Sequence, residues 1–120
     1  MSNRSTLSEV IPYVTKDGSE IRELLHPQHH VVRNQSLAEA RIPPGTTTLL
    51  HRHAVTEEIY HVTQGSGLMT LNDETFPIRS GDSILITPGT PHRVENTGHE
   101  ALRILCCCAP AYSHADTELL

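Results

Sequence analysis

Short runs of apolar or alternating residues recur along the whole chain, and turn-forming residues separate one run from the next. No window keeps the helical repeat of apolar positions over the roughly ten to twelve residues that a helix requires. The runs, in order, are EVIPYV, SEIRELL, QSLAEARI, TTTLLH, EEIYHV, LMTL, ETFPI, SILIT, HRVE and ALRILCCC. Segments of this length and spacing are typical of strands and predict an all-β sandwich or barrel.

The turn signals separate strands but do not mark a boundary between domains. Residues 1–9 are polar, and we expect a flexible N-terminus there. Residues 10–120 are long enough for one domain with one modest core. The ND pair at residues 72–73 is the predicted tip of a hairpin, and the tail AYSHADTELL is expected to form a short helical turn or an extended arm.

The charge balance excludes some classes of partner. The chain has 120 residues and a formal net charge of -5 with the histidines neutral. A general nucleic-acid-binding protein, or one that binds anionic membranes, would usually show a basic stripe, so we expect neither. No apolar run is long enough to span a bilayer, and the segment MSNRSTLSEV has no hydrophobic signal region. We therefore expect a soluble, cytoplasmic protein.

All three cysteines are consecutive, at Cys106, Cys107 and Cys108. Neighbouring side chains in a strand point to opposite faces, so a disulfide between them would be strained. An odd number of cysteines also fits a reducing compartment. A thiolate metal site would need more ligands than this run brings together, and we interpret the cysteines as small apolar side chains of a buried strand.

The segment GTTTLLHRHAVTEEIYHVTQG, residues 45–65, contains a candidate metal site. Residues two apart in a strand share a face, so His51 and His53 project the same way and can bind one cation. Glu58 begins the next strand after a bend, and a hairpin there would bring its carboxylate beside the two rings. A His-X-His pair alone is a weak signal, because it is often only the polar face of a strand.

A second segment, GDSILITPGTPHRVEN at residues 81–96, supplies a third imidazole from His92. The proline-rich turn TPGTP delivers this side chain at the start of a strand. Prolines restrict the loop, and glycine permits a positive φ angle, so the turn can hold one side chain in a fixed position.

The two segments together resemble the cupin family, specifically the small, single-domain bacterial cupins of the conserved-barrel type. The first cupin motif, residues 45–65, reads glycine, five residues, His-X-His, four residues, Glu, six residues, glycine. The second motif, residues 81–96, reads glycine, five residues, proline, one residue, glycine, two residues, His, three residues, Asn. Nine of the ten motif positions agree, and the one departure is Thr87 in the proline position. The matching residues are Gly45, His51, His53, Glu58, Gly65, Gly81, Gly89, His92 and Asn96.

The resemblance implies a double-stranded β-helix, which is a small jelly-roll barrel, with one divalent metal ion bound inside. The implied ligands are His51, His53, Glu58 and His92. The alternative is a metal-free barrel in which these side chains hydrogen-bond one another, although burying them without a cation is costly. A barrel of this size has exposed sheet edges, and the N-terminal strands EVIPYV and SEIRELL could pair with the sheet of a neighbouring chain. Cupins of this type commonly form homodimers in that way, and we expect a two-fold dimer here.

The ligand set limits the metal and suggests the chemistry. Three nitrogens and one carboxylate suit Fe, Mn, Ni, Zn, Co or Cu rather than Ca or Mg. A residual positive charge on the metal would favour an anionic or chelating oxygen ligand, such as an enolate, carboxylate or hydroxy-ketone. Two neighbouring open positions could hold such a substrate, with dioxygenase-type chemistry on an oxygen-rich small organic molecule as the first hypothesis. The alternatives are a non-catalytic small-molecule-binding or sensory module, and a metal-dependent sugar isomerase, epimerase or decarboxylase. The fold hosts many reactions and does not choose among these.

Other polar residues are candidates for roles near the metal. Tyr60 lies two residues after Glu58, so we expect it on the inward face, where its hydroxyl orients a substrate or the ring simply fills the barrel. Glu57 and His61 are expected to point away. Arg41 meets a substrate carboxylate if the face that it shares with Glu39 lines the barrel; otherwise both are surface charges.

The segment HPQHH is a separate cluster of histidines in a predicted loop. His26, His29 and His30 suggest either a second metal site, a lid over the barrel mouth or a solvent-exposed loop.

Overall fold

The computed structural model describes all 120 residues, which form eleven strands and two short 3-10 helices. The helices are Leu7–Glu9 and His114–Asp116. The strands are β1 Tyr13–Val14, β2 Glu20–Leu25, β3 Ser36–Ile42, β4 His51–His53, β5 Glu57–Gln64, β6 Ser66–Leu71, β7 Glu74–Arg79, β8 Ser83–Ile86, β9 His92–Asn96, β10 Leu102–Ala109 and β11 Thr117–Leu119.

The strands form two antiparallel sheets that face each other. One sheet has the order β1-β2-β3-β10-β5-β8, and the other has the order β11-β4-β9-β6-β7. Strands distant in sequence lie side by side, because β10 pairs with both β3 and β5. The all-β, double-stranded β-helix predicted from the sequence is confirmed.

The core lies between the sheets and follows the two-residue period of the strands. Burial alternates strictly along β5, β8 and β9, so one side chain in two points inward. The buried cluster includes Val62, Met69, Val94, Leu102 and Ile104, none of which is more than 2% exposed. Aliphatic side chains therefore fill one part of the barrel and leave the rest to polar residues.

Two predicted strands are shorter in the structure than the sequence pattern suggests. EVIPYV forms only the two-residue β1, since Pro12 has no N–H to donate and Ile11 is 87% exposed. TTTLLH is mostly irregular because its amides bond to two different segments. Thr48 N donates to Val94 O, whereas Leu49 N donates to Asp17 O.

The ends of the chain pack on the barrel. The tail forms both a helical turn and an extended arm, since the His114–Asp116 helix leads into β11, which pairs with β4. Ser2 bridges to His30, and the Ser5 hydroxyl donates to the Leu24 carbonyl. The flexibility of residues 1–9 stays a prediction.

The N-terminal edge of the larger sheet differs from the expectation. SEIRELL was expected to offer an edge to a neighbouring chain, but β2 lies inside the sheet, between β1 and β3. The predicted hairpin tip at Asn72 is present, with a φ angle of 53°. Neither 3-10 helix has the length and hydropathy that a membrane span requires.

Candidate metal centre

Three buried histidines converge inside the barrel from two neighbouring strands. His51 and His53 lie two residues apart on β4, and His51 is paired directly with His92 on β9. All three are at most 4% exposed. One ligand atom from each lies within 4.8 Å of the other two. The shared face predicted for His51 and His53 is confirmed, and the cluster has the geometry to hold a metal ion.

Each imidazole is oriented by a hydrogen bond behind it. Nδ1 of His51 donates to Leu49 O at 2.8 Å, and Nδ1 of His92 donates to Thr90 O at 2.9 Å. Nδ1 of His53 donates to the Thr117 hydroxyl at 3.0 Å, and that hydroxyl donates in turn to Ser113 O. These acceptors place the proton on Nδ1 in all three rings. In the neutral form of each ring, Nε2 then carries the lone pair that binds a metal.

Glu58 completes the group from the start of β5. Its Oε1 lies 3.2 Å from His53 Nε2 and 3.7 Å from His92 Nε2. Its Oε2 accepts from Cys108 Sγ at 3.3 Å. Both Glu58 Oε1 and His92 Nε2 are buried without a hydrogen-bond partner. Buried polar atoms of this kind are costly unless something binds them, and a cation between them would satisfy both. The residues therefore fit a metal ion.

The pKa values of Glu58 and His51 are shifted in directions that favour cation binding. Burial raises the pKa of Glu58, but contacts with His53 and His92 outweigh burial and lower it to about 2. Burial lowers the pKa of His51, and the charge of His92 lowers it further. The lowered pKa values favour an ionised Glu58 and a neutral His51, and both forms favour binding of a divalent ion.

The TPGTP turn is stiffened by contacts that the motif alone does not reveal. Gly89 adopts a φ angle of 79°, which a residue with a Cβ rarely tolerates, and its N–H donates to His53 O at 2.7 Å. Thr87, in the position usually held by proline, shares a hydrogen bond of 2.8 Å with the Thr90 hydroxyl. The turn therefore ties the strand that carries His92 to the strand that carries His53.

The cluster opens on a cavity between the two sheets. Twenty residues line it, of which ten are hydrophobic and none is Lys or Arg. The centres of water molecules can occupy about 40 Å³ of it, which is enough for roughly three waters. Glu23 and Tyr112 also line a surface depression next to it, so they lie at its mouth. The space suits a small ligand.

Tyr60, Cys106 and Cys108 face this cavity. Tyr60 is inward as predicted, and burial followed by the charge of Glu58 raises its pKa well above the usual value, so the phenol keeps its proton. The same two causes raise the pKa of Cys106 and Cys108, so both are neutral thiols rather than thiolates. The cysteines thus do more than fill a strand, because two of them line the site while Cys107 faces away.

Several other candidates from the sequence lie outside the cavity. Ala38, Ala40 and Ile42 form the inward face of β3, so Glu39 and Arg41 are on the outer face. Glu39 pairs with Arg103 at 2.8 Å rather than with a substrate. Glu57 and His61 are exposed, as expected.

The histidine-rich loop does not form a second metal cluster. Nε2 of His26 donates to Tyr112 O at 2.8 Å, and its Nδ1 accepts from Gln28 N. Nδ1 of His30 accepts from His26 N. With these nitrogens occupied, His26 and His30 organise the loop, and the histidines that converge on one point are His51, His53 and His92.

Sequence reasoning missed three polar residues of the site, namely Asp17, Glu23 and Thr117. Asp17 lies in the turn before β2, and its Oδ2 is 3.8 Å from His51 Nε2. The inward position of Glu23 follows from the two-residue period that it shares with Ile21 on β2. Asp17 and Thr117 have no comparable signal, because the turn and the tail approach the histidine cluster only in the folded barrel.

Fold and site together define a cupin barrel with a histidine cluster at its centre. The family model described as "Cupin domain" matches residues 38–108, and the chain belongs to the cupin family.

Three proteins are similar to this chain over most of its length. "Uncharacterized protein MJ1618" of Methanocaldococcus jannaschii is 54% identical over 117 residues, which cover 98% of this chain and 94% of that protein. The oxalate-binding protein of Thermotoga maritima is 33% identical over 86 residues, covering 72% and 71%. The crystal structure of a predicted oxalate decarboxylase from Thermotoga maritima superposes with a TM-score of 0.77 at 29% identity, covering 88% and 96%.

Proposed function

We propose that the protein binds one divalent transition-metal ion through His51, His53, Glu58 and His92, and uses it to bind a small oxygen-donor molecule. The observation that carries the proposal is the pair of buried, unpartnered atoms, Glu58 Oε1 and His92 Nε2, beside two further imidazoles. Mn, Fe, Co, Ni, Cu and Zn all suit this donor set. When bound, the metal would supply Lewis-acid or redox chemistry to a coordinated oxygen donor.

The chain's own residues would shape the rest of the site. The backbone carbonyls of Leu49 and Thr90 and the hydroxyl of Thr117 hold the imidazoles in place. Cys108 donates to Glu58 Oε2 and leaves Oε1 directed at the histidines. Tyr60, as a protonated phenol inside the cavity, is a candidate donor to a bound oxygen.

Metal analysis tests the first part of the proposal. We expect about one equivalent of a transition metal after purification or reloading, and a loss of at least tenfold in metal affinity in His92→Gln. His99→Gln is the matched control, because His99 is exposed and lies outside the cavity. Equal metal content in the two variants would contradict the ligand assignment.

We propose dioxygen-dependent oxidation of an enol, diketone or phenolic acid as the reaction. The half-apolar lining of the cavity suits a molecule that has both apolar and oxygen-donor parts. Oxygen uptake by iron-, manganese-, nickel- and copper-loaded protein across a panel of these compounds tests this reaction. Protein that holds its metal and remains inert across the panel would argue against it.

A second candidate function is binding without catalysis, which the 33% identity to an oxalate-binding protein favours. A ligand that raises the melting temperature and is recovered unchanged would support this function. Product formation without oxygen uptake would instead indicate an isomerase, epimerase or decarboxylase.

We also propose a two-fold homodimer that buries the outer face of the larger sheet. An apolar row crosses five paired strands, and it consists of Leu25, Leu37, Cys107, Ile59 and Leu85. Ile59 and Leu85 are 45% and 52% exposed. A second copy offers a matching apolar row, as a two-fold interface requires. Sedimentation should give a dimer that Ile59→Glu dissociates. The control is Val55→Glu, which should leave the dimer intact because Val55 is exposed in the loop between β4 and β5 and is not part of the apolar row. A monomeric wild type would refute the proposal.

We propose a cytoplasmic location as well. The three cysteines are free thiols, which fits a reducing compartment. Fractionation of the source cells, with the protein detected by antibody, tests this location.

A further inference from the structure

Asp17 presents a free carboxylate oxygen to the metal cluster from a loop that the family motifs do not include. The residue is 8% exposed and lies between β1 and β2. Its Oδ1 accepts three hydrogen bonds, from the hydroxyls of Thr15 and Ser19 and from Ser19 N. Its Oδ2 receives none and lies 3.8 Å from His51 Nε2. Three donors fix the side chain so that Oδ2 stays directed into the cavity.

Glu23 presents a second free oxygen at the mouth of the same cavity. Its Oε1 accepts from the Tyr13 hydroxyl at 2.7 Å. Its Oε2 is buried and has no partner. Burial and the contact with Glu23 raise the pKa of Tyr13, so the phenol keeps the proton that it donates. One oxygen of Glu23 is therefore held by the protein, and the other remains available to a ligand.

No basic side chain balances these two acids. The cavity lining contains no Lys or Arg. Lys16 is next to Asp17 in sequence, but its ammonium donates to the carbonyls of His114 and Thr117. As formal charges, Asp17, Glu23 and Glu58 contribute three negative charges to the cavity. A bound divalent ion would contribute two positive charges, so the formal charge of the loaded cavity would be negative by one.

We propose that Asp17 and Glu23 determine ligand specificity: they select a small neutral or cationic donor that bears hydroxyl or amino groups, and they disfavour a dicarboxylate. The inference rests on the proposed metal site. A hydroxyl or ammonium hydrogen of the ligand would satisfy Asp17 Oδ2 or Glu23 Oε2, both of which can only accept. A dianion supplies no such donor and adds two negative charges to a cavity that is already negative, with low-dielectric walls around it.

Ligand binding to cobalt-loaded protein at pH 7.5 tests the proposal. The probes are oxalate, a dianion; hydroxyacetone, a neutral chelator; and 2-aminoethanol, which carries a cation. Dissociation constants come from calorimetry and from the visible absorption of the cobalt. The variants are Asp17→Asn and Glu23→Gln, each of which keeps the side-chain shape and removes one charge. Glu100→Gln is the control, because it removes the same charge from an exposed site outside the cavity.

We expect each cavity variant to bind oxalate at least tenfold more tightly than the wild type and to bind 2-aminoethanol more weakly. The control should change neither constant by more than twofold. If one variant fails to fold, the other tests the same inference independently. An oxalate constant that is unchanged in a folded, cobalt-loaded variant would overturn the inference and leave the metal site standing. Failure of the wild type to take up cobalt would overturn both.

Discussion

Replacing Thr117 by valine removes one hydroxyl from behind His53 and keeps the volume of the side chain nearly constant. The Thr117 side chain is buried, accepts from His53 Nδ1 at 3.0 Å and donates to Ser113 O at 2.8 Å. Valine can do neither. The His53 ring then has no acceptor behind it, and its proton is no longer held on Nδ1.

The structure gives two magnitudes for this change. In the metal-free protein, two hydrogen bonds are lost and a buried N–H is left without an acceptor, so the free energy of unfolding should fall by about 2 kcal/mol. In the metal-loaded protein, the orientation and basicity of one ligand are lost. Substitutions of this kind typically cost about 10- to 100-fold in metal affinity, which is about 1.4 to 2.8 kcal/mol.

Competition with a coloured chelator, on folded protein at 25 °C, measures the metal affinity separately from the stability. Thr117→Ser is the matched control, because it retains the hydroxyl and loses only a methyl group; it should stay within about threefold of the wild type. A Thr117→Val protein that binds metal as tightly as the serine variant would show that the Thr117 hydroxyl does not support His53 as a ligand.

Three further predictions concern stability. A Cβ on Gly67 would lie 2.3 Å from Glu95 O, so Gly67→Ala should force β6 and β9 apart. The free energy of unfolding, measured with urea, should fall by about 2 to 4 kcal/mol, and a fall of less than about 0.5 kcal/mol would contradict this packing. Adding metal at one hundred times the wild-type dissociation constant should stabilise the wild type by about 2.7 kcal/mol, raising the melting temperature by about 10 °C. The same metal concentration should stabilise His92→Gln by no more than about 1.4 kcal/mol, and equal stabilisation of the two proteins would contradict the ligand assignment. Burial raises the pKa of Asp116, but hydrogen bonds from the amides of Thr56 and Val55 outweigh burial and lower the pKa below 3.8. Asp116→Ala loses these hydrogen bonds, so it should be about 1 kcal/mol less stable than the wild type at pH 7. Because this pKa is lower in the folded state, the difference should shrink as the pH falls below about 3.8, and a difference that persists there would exclude a charge-dependent role.

The sequence predicted the histidine cluster because its residues follow local rules of strand and turn structure. His51 and His53 share a face by the two-residue period of a strand, and a turn of glycine and proline delivers His92. The same period predicted that Tyr60 points inward. The face of β3 was the ambiguous case. Its burial does not alternate, because Glu39 is buried against Arg103 on the outer surface, so the pattern alone could not tell which side lines the barrel.

Asp17 and Thr117 reach this cavity through contacts that no sequence period predicts. Asp17 reaches His51 because Leu49 N donates to Asp17 O, which fastens the turn before β2 onto the segment that leads into β4. Thr117 reaches His53 because β11 pairs with β4 through the register Thr117 to His53. Both contacts join parts of the chain that are at least thirty residues apart. In each contact, one partner lies inside the matched region, residues 38–108, and the other lies outside it. The shared motif therefore accounts for a histidine cluster that could hold a metal ion. The ligand charge that the site accepts depends on the turn that carries Asp17 and on Glu23 in β2, and these lie outside that region.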